Sequence, residues 1–283
     1  MKDPRYRIED NFEDVLGKAM SGLGLRLGEV ASRAGMSAEA CEALLSGQLD
    51  ASALRAVAGV LNLNADCLLR LATEPVVPSV KLPEGIAWHN TPFPIPGYEE
   101  MTVNSYSLVP PGQGEAGCLI DAGAAFATIR EDRAGAMASE WTLLLTHTHV
   151  DHVVAYKELS GIAVGAYSPS GEAYQGAISF SEGESFKIGP WRLQALSTPG
   201  HSPDGMSYLL EGVGTPVLFV GDALFCYSVG KIREHYRDSL ASIREKILRL
   251  PDATIVCPGH GPLTTVAFEK AHNPFFAESP NMV

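Results

Sequence analysis

The chain has 283 residues, 46% hydrophobic and 19% charged, the balance of an ordinary globular protein with a substantial core and room for two domains. No apolar run approaches the ~20 residues needed to span a bilayer, and the charged start "MKDPRYRIEDNFEDV" lacks the apolar stretch of a secretory signal, so the cytoplasm is the expected location. A net charge of −12 works against bulk attraction to nucleic acid or anionic membrane, and five scattered cysteines without a C-x-x-C pair argue against a disulfide framework or a thiolate zinc site.

From about residue 11 to 73 the chain reads as five short helices. Apolar residues recur at helical spacing in "FEDVLGKAM", "LGEVASRAG", "SAEACEALLSG", "ASALRAVAGVL" and "NADCLLRLA". Small or polar residues separate these runs, and Ser37, Asp50 and Asn64 offer N-cap chemistry. The stretch from "LRLGEVASRAGMSAEACEALLSG" to "LNADCLLRLA" resembles the helix-turn-helix domain of the Cro/C1-type repressors. Ala31 and Gly35 fall at the tight helix crossing and Leu44 in the core of the third helix. The resemblance implies DNA binding only where the recognition helix can serve it. Here that helix, "SAEACEALLSGQ", carries Glu39 and Glu42 and no Lys or Arg, and residues 1–75 hold eight Lys and Arg against eleven Asp and Glu. The basic footprint of a DNA reader is missing. The expectation for a helical domain over 1–75 is therefore self-association into a homo-oligomer or partner docking rather than DNA.

"TEPVVPSVKLPEG" has three prolines and no helical period, and reads as a linker into a second domain over 76–283. Short β-rich runs follow: "NSYSLV", "GCLIDAG", "WTLLLT", "AVGAYS", "WRLQALST", "PVLFVG" and "ATIVCPG". Helical stretches lie between some of them, most clearly "SLASIREKILRL" with Leu240, Ile243, Ile247 and Leu250 on one face. The fold class expected is α+β, with strands and helices in packed layers.

"LLLTHTHVDHVVAY" places three of the chain's eight histidines and an aspartate in six residues, behind an apolar strand. At an extended strand end, residues two apart project to the same side, so His147 and His149 can grip one ion together. Asp151 and His152 follow where the chain turns into a helix and can serve a second ion. Imidazole and carboxylate suit Zn²⁺, Fe or Mn. Three later segments add His201 in "STPGHSPDG", Asp222 in "FVGDALF" and His260 in "VCPGHGP", each where a loop leaves a strand.

Together these motifs resemble the metallo-β-lactamase superfamily: "CLIDAG" with Asp121, "THTHVDH", His201, Asp222 and His260 stand in the family's order. The resemblance implies a four-layer αβ/βα sandwich with the site at one edge between two sheets. It implies one divalent ion on His147, His149 and His201, a second on Asp151, His152 and His260, and Asp222 bridging; Zn²⁺ is the first choice, with Fe or Mn as alternatives. Asp121 is expected to steady the ligands rather than bind metal. A metal pair makes a hydroxide from water at neutral pH, with Asp151 and Asp222 as the catalytic carboxylates.

The tail, with "GDALF", "LPDATIVCPGHGPLTT" and Glu269, Asn273, Pro274 and Phe275, resembles the glyoxalase II-type branch, which cleaves thioesters such as S-lactoylglutathione. Gly230-Lys231 and Pro203-Asp204 depart from that branch's usual Gly-Arg and Pro-Gly pairs. A small anionic thioester needs cations beside the site, and Lys231, Arg233 and Arg237 are the available ones, with His235 a further substrate contact. Two alternatives stand beside this reading: a mononuclear iron persulfide dioxygenase using His147, His201 and Asp222, and a metabolite-sensing DNA-binding regulator.

Overall fold

A computed structural model describes residues 3–93, 97, 101–112, 116–123 and 138–278. Among the described residues, a 3-10 turn at Pro4–Tyr6 is followed by five α-helices: α1 (Phe12–Leu23), α2 (Leu27–Arg33), α3 (Ala38–Leu45), α4 (Ala51–Val60) and α5 (Ala65–Thr73). Each exists for a local reason. In α1, Phe12, Val15, Leu16 and Ala19 form one buried stripe, and Gly24 closes the helix in the left-handed region at φ 66°. Side chains of Ser37, Asp50 and Asn64 accept from the amides of Ala40, Ala53 and Cys67 at 3.2, 2.8 and 3.0 Å, so the three caps anticipated from sequence start α3, α4 and α5.

Residues 74–83 carry no regular secondary structure. Among the described residues twelve strands follow, in two six-stranded sheets. The first runs in order β1 (Ile86–Pro92), β2 (Thr102–Leu108), β3 (Ala116–Ile120), β4 (Glu140–Leu144), β5 (Gly165–Pro169) and β6 (Ile178–Phe180). It is antiparallel through β1–β3 and parallel from β3 to β6. The second holds β7 (Ser185–Ile188), β8 (Trp191–Ser197), β9 (Met206–Glu211), β10 (Val217–Gly221), β11 (Ile255–Pro258) and β12 (Thr264–Thr265), paired in that order.

Alternation along the strands sorts side chains into three apolar layers. Ile120 and Leu144 meet Tyr208 and Phe219 between the sheets. Leu119, Leu143 and Leu145 point the other way, onto short helices α6 (Val150–Val153) and α7 (Tyr156–Ser160). On the second sheet, Leu209, Leu218 and Val220 pack outward against α8 (Tyr236–Lys246) and the start of α9 (Val266–His272). Because both faces are covered, "WTLLLT" and "VLFVG" read as continuous apolar runs rather than alternating ones. The order is helix, sheet, sheet, helix, as the resemblance implied. The core of the N-terminal helices is continuous with this last layer: Leu16, Leu44 and Leu68 share one cluster with Leu218 and Ile243.

Strands β1, β6, β7, β9 and β12 were not among the expected runs. β9 is buried on both faces, so it shows no alternation, whereas β6 and β7 have only three and four residues. Helix α8 begins and ends earlier than the apolar pattern of "SLASIREKILRL" suggests. It closes with a bond that reaches back five residues, from Leu248 N to Ile243 O at 3.0 Å, and Ile247 and Leu248 are buried in the core. Among the described residues no helix is long and apolar enough to cross a membrane.

This topology gathers the site. β8 and β10 both pair antiparallel to β9, and β11 runs parallel to β10, so the loops that leave β8, β10 and β11 emerge at one edge. The loop after β4 joins them there, where Met206 N donates to Thr146 O at 2.9 Å.

Candidate metal centre

Every sequence-derived ligand residue arrives at that edge. His147 and His149 follow β4, Asp151 and His152 lie in α6, and His201, Asp222 and His260 stand in the loops after β8, β10 and β11. Three groups of ligand atoms each fall within 4.8 Å of one another: His147, His149 and His201; His147, His152 and Asp222; Asp151, His152 and His260. His149 Nδ1 lies 2.8 Å from His201 Nε2, His260 Nε2 lies 3.0 Å from Asp151, and one Asp222 oxygen lies 3.3 Å from His201 and 3.4 Å from His260. Asp222 therefore sits between the outer pairs.

The rings are aimed by partners behind them. Asp121 holds the loop after β4 through Thr146 N (2.7 Å) and Thr146 Oγ1 (2.8 Å), and its Oδ2 also takes His152 Nδ1 at 2.9 Å. Thr146 Oγ1 in turn lies 3.0 Å from His147 Nδ1, and Thr102 O accepts from His260 Nδ1 at 2.8 Å. With one nitrogen engaged, each ring presents the other to the centre. Asp121 joins none of the three ligand groups, and holds φ 59°, in the left-handed region, to reach all these donors.

These residues fit a cation. His147 Nε2, His152 Nε2, His201 Nδ1 and Asp222 Oδ1 are buried without a hydrogen-bond partner, a cost that a bound metal relieves wherever these atoms face it. Gly259 makes room: a Cβ there would stand 2.2 Å from Asp222 Oδ1 and 2.6 Å from His152 Cε1. Gly230 packs as closely, its missing Cβ falling 1.9 Å from the Asp222 carbonyl oxygen and 2.7 Å from His201 Cβ. Burial pushes His147 well below its ordinary value and His201 down to about 4, so both rings are neutral, as ligands must be. For His152 burial works downward too, but the carboxylates of Asp222 and Asp121 outweigh it and hold the ring at about 10. Burial likewise opposes the charge on Asp222, yet His260, His152 and His201 drive its carboxyl well below the usual range. Positive charge is strongly favoured in the middle of this cluster.

Beside the centre opens a cleft of about 920 Å³, lined by His149 and His201 and by Lys231, Arg233, Glu234, His235 and Asp238. Three of the four anticipated substrate contacts thus line it. Arg237 does not: it is exposed on the first turn of α8 and absent from the lining, while the next residue of that turn, Asp238, faces the cleft. The cleft's cations are interleaved with two carboxylates, which sequence inspection did not anticipate.

Sequence reasoning also missed several supports. Glu172 accepts from Thr148 N at 2.9 Å and Thr148 Oγ1 at 2.8 Å, fixing the residue between His147 and His149. Glu269 accepts from Tyr227 N, Thr264 Oγ1 and Asn273 Nδ2, while Asn273 Nδ2 also donates to Ser228 O. The Glu269 and Asn273 noted in the tail thus pin the loop that leaves Asp222.

A family model described as the metallo-beta-lactamase superfamily matches residues 99–260, more than half of the chain. The probable metallo-hydrolase YqgX of Bacillus subtilis is 34% identical over 165 residues, 47% of this chain and 74% of that protein. The hydroxyacylglutathione hydrolase GloC of Haemophilus influenzae is 32% identical over 159 residues, again 47% and 74%. Among solved structures, TTHA1623 in a di-iron-bound form matches with a TM-score of 0.51 at 28% identity, covering 62% of this chain and 95% of that one. With the layered fold and the gathered histidines and carboxylates, this match makes the chain a member of the metallo-beta-lactamase superfamily.

Proposed function

We propose that this chain is a hydrolase with two divalent metal ions, acting on a thioester such as a hydroxyacylglutathione. The observation that carries the reading is the three overlapping ligand groups at the mouth of a cleft lined by Lys231, Arg233 and His235. In it His147, His149 and His201 hold one ion, Asp151, His152 and His260 the other, and Asp222 both. When bound, such a pair lowers the pKa of a water from ~16 toward ~7 and polarises the acyl oxygen. The chain's own part is positioning. Asp121, Thr146 and Thr102 fix which ring nitrogen faces the centre, and Asp151 accepts a hydrogen bond from the attacking water. Water oxygen adds to the acyl carbon, the C–S bond breaks, and sulfur leaves with the bonding pair. The products are a carboxylate and a thiol, with one proton released.

Zn²⁺ is the first choice of metal, because a d¹⁰ ion accepts mixed imidazole and carboxylate sets without a geometric preference. The relatives support the reaction class through GloC and the metal count through the di-iron form of TTHA1623. Against DNA as a partner stands α3, which exposes Glu39 and Glu42 and has no basic residue. Metal-loaded protein should hydrolyse S-lactoylglutathione, and both a chelator and His149→Ala should abolish turnover. No activity across a thioester panel, or one iron per chain with oxygen uptake on glutathione persulfide, would overturn the proposal.

A further inference from the structure

Lys18 is a lysine in an unusual place. It belongs to α1, yet only 16% of its side chain is exposed, and its ammonium is spent entirely on inward partners. One is the Asp10 carboxylate, 9% exposed. Another is the carbonyl of Val229, at 2.8 Å. The third is the ring of Phe225, 4.9 Å below the ammonium. Stability alone is a poor reason to keep such a group, since a buried ion pair roughly breaks even against apolar side chains of the same volume.

What Lys18 touches is the loop leaving Asp222. Residues 223–230 are buried throughout and fold back on themselves, with Phe225 and Ser228 exchanging backbone bonds of 3.0 and 3.1 Å. Val229, the acceptor, precedes Gly230, which lies against the Asp222 carbonyl and His201 Cβ. Phe225, the ring under the ammonium, meets the His260 ring edge-on at 5.7 Å and 87°. At Gly261, the residue after His260, the backbone amide and Cβ of Glu9, next to Asp10, come within 3.3 Å of where a side chain would start. The N-terminal segment and α1 thus grip both loops that carry Asp222 and His260.

We propose that Lys18, held by Asp10, is a positioning residue of the metal centre, through which the helical module keeps Asp222, His201 and His260 in register. The inference rests on the proposed metal site and goes beyond it. It gives the helices a role in the chemistry of the edge they cover.

Co²⁺ titration of the full chain tests it, reading affinity and the visible absorption band, with circular dichroism and thermal melting to show that each variant is folded. Groups that orient metal ligands cost about 10–100-fold in affinity when removed. Lys18 acts one contact further out, so folded Lys18→Met should bind Co²⁺ about threefold to tenfold more weakly with an altered band. Lys18→Arg, which keeps charge and donors, should recover most of the loss. A folded Lys18→Met with wild-type affinity and band would overturn the proposal. Should Lys18→Met fail to fold, Asp10→Asn carries the test: the same weakening is expected, and an unchanged band and affinity overturns the inference. Wild-type chain that takes up no Co²⁺ would overturn the metal site itself and this inference with it, whereas wild-type uptake matched by an indifferent Lys18→Met overturns the inference alone.

Discussion

Asp121→Asn isolates the geometry that arms the site. Asp121 Oδ1 accepts from Thr146 N at 2.7 Å, so an asparagine must keep its carbonyl there and place its NH₂ where Oδ2 stood. That NH₂ then faces Thr146 Oγ1 at 2.8 Å, whose hydroxyl can turn to accept, and His152 Nδ1 at 2.9 Å, a donor like itself. Each lost charge-assisted bond costs about 1.5–3 kcal/mol. The backbone is undisturbed, since asparagine tolerates the left-handed φ of 59° found at this position. To bind metal His152 must give up one proton, and with an NH₂ opposite Nδ1 the ring relieves the clash by accepting there, so the proton it keeps sits on Nε2, the atom 3.3 Å from Asp222 Oδ1 that the proposal gives to a metal. A ring in that tautomer is no ligand. Metal affinity should fall about 10–100-fold, or about 1.4–2.7 kcal/mol. The loss should concentrate on the ion bound by His152, with a smaller effect on its neighbour through Thr146 and His147. Competition with a chromophoric chelator resolves the two Zn²⁺ affinities separately. If both remained at wild-type values, the orienting role of Asp121 would be refuted.

Three further outcomes follow from the same geometry. Glu269 is fully buried and its carboxyl is raised by burial, against the donors Thr264, Asn273 and Tyr227, to about 7. Its folded pKa thus exceeds the unfolded one, so this stabilisation is complete below about pH 4.5 and is lost as pH rises through about 7, roughly 3 kcal/mol in all. Glu269→Gln, which can accept from Tyr227 and Asn273 and donate to Thr264, should flatten the fall in urea stability across that window; a slope equal to wild type would contradict this. Gly259→Ala should cost about 1–3 kcal/mol and deplete bound metal, because its Cβ would overlap Asp222 and His152; calorimetry and metal analysis identical to wild type would contradict it. Arg233→Ala should raise KM for an anionic thioester about fivefold at nearly constant kcat, whereas Arg237→Ala, outside the cleft, should change neither; equal effects would contradict the cleft assignment.

Much of this was legible before the structure because the signals were local. Ser37, Asp50 and Asn64 are polar residues before apolar-periodic runs, and each caps a helix. "WTLLLT" and "VLFVG" carry unbroken apolar runs because helices and a second sheet cover both their faces. His147, His149, Asp151, His152, His201, Asp222 and His260 are legible because ligand chemistry admits few residue types and they recur at strand ends. What stayed hidden acts through burial, which spacing does not record. Thr146, Glu172 and Lys18 belong to types found on any surface, and only the fold shows that their donors and acceptors turn inward. β9 was hidden by the opposite cause: five of its six residues are buried, so period 2 never appears. Arg237 looked equivalent to Arg233 in sequence, but it lies in the first turn of α8, where Asp238 rather than Arg237 faces the cleft.

Counting metal in the purified chain, by plasma mass spectrometry on wild type, His149→Ala and His152→Ala, decides whether the histidines and carboxylates hold a pair of ions. Two divalent ions per wild-type chain are expected, with the loss of a different one in each variant, leaving about one. A single ion per chain that survives His152→Ala undiminished, or a wild-type chain that binds none from excess Zn²⁺, would contradict it.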